Sequence, residues 1–73
     1  MDAKHAKFRE LAANRTDKAL EAIERIGNLS NRRIYAWEPS EVRKIVKALK
    51  DEVSKMEAKF DEGGGKNRKR FSF

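Results

Sequence analysis

The chain has only five residues of the types that disfavour a helix interior most, Gly27, Pro39 and the run Gly63-Gly64-Gly65. They leave two long uninterrupted stretches rich in Ala, Leu, Glu, Lys and Arg, all good helix formers. In the first, Phe8, Leu11, Ala12, Ala19, Ala22, Ile23 and Ile26 project within a sector about 120° wide at 100° per residue. One amphipathic helix is expected over residues 3–26, with Gly27-Asn28 as its stop signal. A second is expected over residues 39–61. Pro39 suits a first helical position, and Glu41 lies in the first turn, at the positive end of the helix dipole. Its apolar set, Val42, Ile45, Val46, Leu49, Val53, Met56 and Phe60, spans a sector about 100° wide.

Val42, Val46, Leu49, Val53, Met56 and Phe60 advance in alternating steps of four and three, the rhythm of a coiled-coil seam. Phe8, Ala12, Arg15, Ala19, Ala22 and Ile26 repeat it. Folded back antiparallel, the two series pair positions whose numbers sum to 68: Ile26 with Val42, Ala22 with Val46, Ala19 with Leu49, Arg15 with Val53, Ala12 with Met56, Phe8 with Phe60. Small faces large at three of these layers, which favours close packing. The expected fold is therefore all-α, an antiparallel two-helix hairpin over residues 1–62 with a coiled-coil-like seam, an ordered aromatic loop at 27–38, and a flexible Gly linker and basic tail at 63–73. Arg15 interrupts the stripe. Either its methylenes cover the seam while the guanidinium snorkels to Glu52 or another acid, or it points into a partner interface.

With 73 residues, 41% of them charged and 38% hydrophobic, the chain has a thin core at best. Two helices of this length rarely bury enough to stand alone. Leu11, Leu20, Ile23 and Ile45 flank the seam. They could pack on the loop, on a second copy as a four-helix-bundle homodimer, or on a larger protein.

The connection between the helices is long for a helix–helix link, and Leu29, Ile34, Tyr35 and Trp37 make it too apolar for a solvated linker. Two readings stand side by side. In one, Ile34 and Trp37 plug the open end of the hairpin while Asn28, Ser30 and Asn31 satisfy loose backbone groups. In the other, Arg32 and Arg33 beside Tyr35 and Trp37 form a basic, aromatic mixture suited to phosphates and unstacked bases. The run Ile26-Gly27-Asn28-Leu29-Ser30-Asn31-Arg32, followed by Tyr35 and a second amphipathic helix, resembles a group of short bacterial and phage helical-hairpin proteins with an I-G-N-L-S-N-R core. The resemblance covers residues 8–60 and implies a fold without an activity.

The net charge of +6 is unevenly placed. Residues 1–62 hold 14 Lys/Arg against 12 Asp/Glu, and residues 63–73 hold four Lys/Arg and no acid. Lys66, Arg68, Lys69 and Arg70, followed by Phe71 and Phe73, read as a basic arm beyond a Gly linker.

Enzyme chemistry finds little support. The chain has no Cys, and His5, its only histidine, lies near the N-terminus. Adjacent acids such as Asp51-Glu52 and Asp61-Glu62 diverge on a helix. No metal-ligand cluster is expected, and neither is a cofactor. Gly63-Gly64-Gly65-Lys66 lacks the Ser/Thr and the strand–helix setting of a phosphate-binding loop. With no apolar run behind the first residues, a cytoplasmic location is expected.

The leading expectation is a small non-enzymatic nucleic-acid-associated protein. Lys66, Arg68, Lys69, Arg70, Arg32 and Arg33 would hold phosphates of RNA or DNA without base-specific readout, and Tyr35, Trp37, Phe71 and Phe73 would stack or anchor a partner. On helix two, Arg43, Lys44, Lys47, Lys50 and Lys55 would add to the field. The alternative is an adaptor or inhibitor, of the kind a phage or mobile element encodes, docking its hairpin and loop on a larger protein or ribonucleoprotein complex. A structural oligomer comes third. Membrane binding is not expected, because neither helix combines a Lys/Arg-only polar face with bulky apolar residues.

Overall fold

The computed structural model describes residues 2–64, with side chains from 2 to 61. It is all-helical: α1 (Ala3–Gly27), a short 3₁₀ helix (Asn28–Ser30) and α2 (Pro39–Gly64). The chain divides into two units, Met1–Ala36 and Trp37–Phe73.

The first unit is α1 with the segment that follows it. Asp2, in extended conformation, caps the helix: the His5 backbone N–H donates to Asp2 Oδ1 at 2.9 Å. This satisfies one of the donors a helix start leaves over. At the other end Arg25 lies in the last turn, where a cation complements the dipole. The stop signal falls where expected, but its mechanism differs. Gly27 is the last residue of α1 and has ordinary right-handed helical angles (φ −61°, ψ −30°), as does the cap residue Asn28 (φ −64°, ψ −17°). The helix ends by tightening into the 3₁₀ turn and not by a left-handed glycine, so the freedom glycine offers is unused. The Ile26–Arg32 run is thus the last turn of α1, the 3₁₀ helix and the opening of a bend.

The second unit is Trp37 and α2. Glu38 precedes the helix, and its carbonyl accepts from the N–H groups of Glu41 (2.9 Å) and Val42 (3.2 Å). Its own N–H donates to Glu41 Oε1 at 2.8 Å, the reach-back half of a capping box. Pro39, without an N–H to satisfy, opens the helix. The far end corrects the expected boundary at residue 61, for α2 runs on to Gly64 and takes in two glycines assigned to the linker. Once a helix exists, each further residue adds a hydrogen bond, and glycine raises the cost by only about 1 kcal/mol without forbidding the geometry. Residues 65–73 lie outside the described chain.

Among the described residues none is buried. Leu11, Ala12, Trp37 and Leu49 are half-buried and the rest are exposed. Along α2 the stripe stays open to solvent, with Val53 53% and Phe60 57% exposed. Among the described residues no helix is long and apolar enough to cross a membrane.

Candidate nucleic-acid interface

The residues after the 3₁₀ helix are organised by Asn31. Its backbone is extended (φ −70°, ψ 103°), and its carbonyl accepts from two N–H groups, Ile34 at 3.1 Å and Tyr35 at 2.9 Å. The side chain closes a third bond, with Arg33 N–H donating to Asn31 Oδ1 at 2.9 Å. This is an Asx-type turn, in which a short polar side chain takes over hydrogen bonding that a helix or sheet would otherwise provide. One residue therefore holds the backbone of the bend that carries Arg32, Arg33 and Ile34. The expectation that Asn31 satisfies loose backbone groups is met in atomic detail.

What the bend presents is cationic and aromatic. Arg32 and Arg33 are both exposed, and each guanidinium is a planar fork of donors matched to phosphate oxygens. Tyr35 follows at 45% exposure, and Ile34 is 68% exposed. The turn that ties the Ile34 N–H to Asn31 leaves its side chain open within the first unit. Trp37 is half-buried and belongs to the second unit, immediately ahead of α2. Lys66, Arg68, Lys69, Arg70, Phe71 and Phe73 lie outside the described residues.

The basic face expected on α2 is partly neutralised from within. Lys47 Nζ lies 2.8 Å from Asp51 Oδ2 and Lys55 Nζ 3.7 Å from Glu52 Oε1, spacings of four and three residues on one helix. Such exposed pairs contribute little stability, but each acid offsets the charge that its lysine offers to a polyanion. Among the described residues Arg43, Lys44 and Lys50 have no comparable ion pair. Among the same residues no group of three His, Cys, Asp or Glu side chains converges as a metal site would require.

Sequence reasoning missed Asp2 as the cap of α1. The signal was present as an Asp directly ahead of a helical run. No family model, curated protein or solved structure matches this chain.

Proposed function

We propose that the chain is a small, non-enzymatic, cytoplasmic binding protein that associates with nucleic acid through its phosphates, without base-specific readout. The observation that carries the reading is the Asn31-held bend, which presents Arg32 and Arg33 on consecutive exposed positions two residues ahead of a partly exposed Tyr35. Two adjacent exposed arginines followed closely in sequence by a tyrosine suit a flexible single strand, with phosphates on the guanidinium forks and an unpaired base on the phenol. In this reading Lys66, Arg68, Lys69 and Arg70 add sequence-independent affinity, and Phe71 and Phe73 stack or bury against a partner.

The scaffold in the same proposal is the antiparallel hairpin in the sum-68 register. Its support is the matched four–three rhythm of the two apolar stripes and the exposure of both in their separate units.

The test is a binding titration on generic single-stranded RNA, single-stranded DNA and duplex at 50 and 200 mM salt. It compares the full chain, an Arg32→Ala/Arg33→Ala variant and a chain ending at residue 65. The full chain is expected to give a log–log salt slope of about −3 to −4, with truncation removing most of it and the arginine variant weakening single-strand binding. Absence of binding by the full chain at the lower salt rejects the reading.

The exposed apolar stripes favour a second reading, a protein-binding adaptor or inhibitor that docks its helices on a larger complex. A chain acting this way keeps its target affinity after removal of the basic arm.

A further inference from the structure

Helix α2 carries its charge in the order that its own dipole disfavours. Residues 39–50 hold four cations (Arg43, Lys44, Lys47, Lys50) and one acid, and residues 51–62 hold two cations and five acids, so the two halves are +3 and −3. Acids belong near a helix N-terminus and cations near its C-terminus. Glu41 alone follows that rule in the first turn, and the last turn holds no cation. Lys47–Asp51 and Lys55–Glu52 pair within the helix, but among the described residues Arg43, Lys44 and Lys50 have no such ion pair and neither has Glu57, so the two halves keep complementary charge to offer a partner. The apolar stripe crosses both halves. Of the stripe, Val42, Val46, Val53, Met56 and Phe60 are exposed and Leu49 is half-buried.

We propose that this face takes a second copy of the same helix, antiparallel across a two-fold axis. An antiparallel copy lays the +3 half on the −3 half at both ends, whereas a parallel copy stacks like on like. The stripe then sets the register. With the axis between Leu49 and Val53, Leu49 meets the partner's Val53, Val46 the partner's Met56, and Val42 the partner's Phe60. One flank of that seam is Arg43, Lys50 and Glu57. There Arg43 faces the partner's Glu57 twice over, against a single like pair of Lys50 at the axis. The contact uses the same patch on both copies, so it closes as a dimer and does not propagate. In the hairpin the stripe is then shared, with the partner helix on this side and α1 on the side of the other flank, Ile45, Glu52 and Lys59, so dimer and hairpin combine into a four-helix bundle, with Lys18 opposite Glu52.

This inference rests on α2 alone and uses neither the Asn31 bend nor the arm, so its failure leaves the nucleic-acid reading standing. Sedimentation equilibrium or light scattering on the full chain, without nucleic acid, is expected to show a monomer–dimer equilibrium. Arg43→Glu weakens the dimer by about tenfold, because two attractive flank pairs become repulsive. Glu57→Arg does the same, and the double variant, with the charges exchanged, recovers dimerisation. A monomer at every concentration tested overturns the proposal. So does a dimer insensitive to either single reversal, or one that the double exchange fails to restore.

Discussion

The carboxylate of Glu41 reaches back one turn to accept the backbone N–H of Glu38 at 2.8 Å, while the Glu38 carbonyl accepts the Glu41 N–H at 2.9 Å. The two residues close the start of α2 on each other and settle donors that Pro39 cannot help to satisfy. Replacing Glu41 by Ala is expected to lower the stability of α2 by about 0.5–1 kcal/mol, within the range of cap losses. Gln, which can still accept the Glu38 N–H, retains most of it. Thermal melts followed by circular dichroism check this. Equal melts for the Ala and Gln variants would show that the charge, not the hydrogen bond, matters.

Gly27 is helical, and a Cβ built on it would meet nothing within 4 Å. Gly27→Ala is therefore expected to raise helicity and stabilise the end of α1 by about 0.5–1 kcal/mol, by reducing the freedom of the unfolded chain. A left-handed glycine cap would give the opposite sign, so a lower melting temperature in the variant would contradict the observed geometry.

Asn31→Ala removes Oδ1 but leaves the carbonyl that binds Ile34 and Tyr35, so the bend is weakened and not abolished, by about 0.5–1.5 kcal/mol. In amide exchange the Arg33 N–H is expected to lose protection, while Tyr35 keeps more of its own. If the bend presents Arg32 and Arg33 to phosphates, the same variant lowers single-strand affinity with both arginines still in place. Unchanged affinity would separate the turn from binding.

Val46→Asp tests the proposed seam. In the sum-68 pairing that position faces Ala22, so the carboxylate has no cation opposite it, and burying it unpaired is costly. Loss of helicity and an earlier melt are expected. Unchanged circular dichroism and melting would rule the register out.

The existence and type of both helices were legible in the sequence, because they follow from features spread over more than twenty residues: propensity, the width of each apolar stripe, and the absence of Gly and Pro between residues 3 and 26 and between 40 and 62. Pro39 as the opening of α2 and Asn31 as a supplier of backbone hydrogen bonds were legible for the same reason, since each acts through its own local chemistry. Helix ends were less so. Whether α1 closes at Gly27 by a left-handed glycine or by a 3₁₀ turn, and whether α2 stops at residue 61 or reaches Gly64, turns on differences of about 1 kcal/mol that no composition rule resolves. The exposure of Ile34 was not legible at all. Its apolar character suggested burial, and only the path of the backbone, tied by Asn31 into a bend, leaves the side chain open within its own unit.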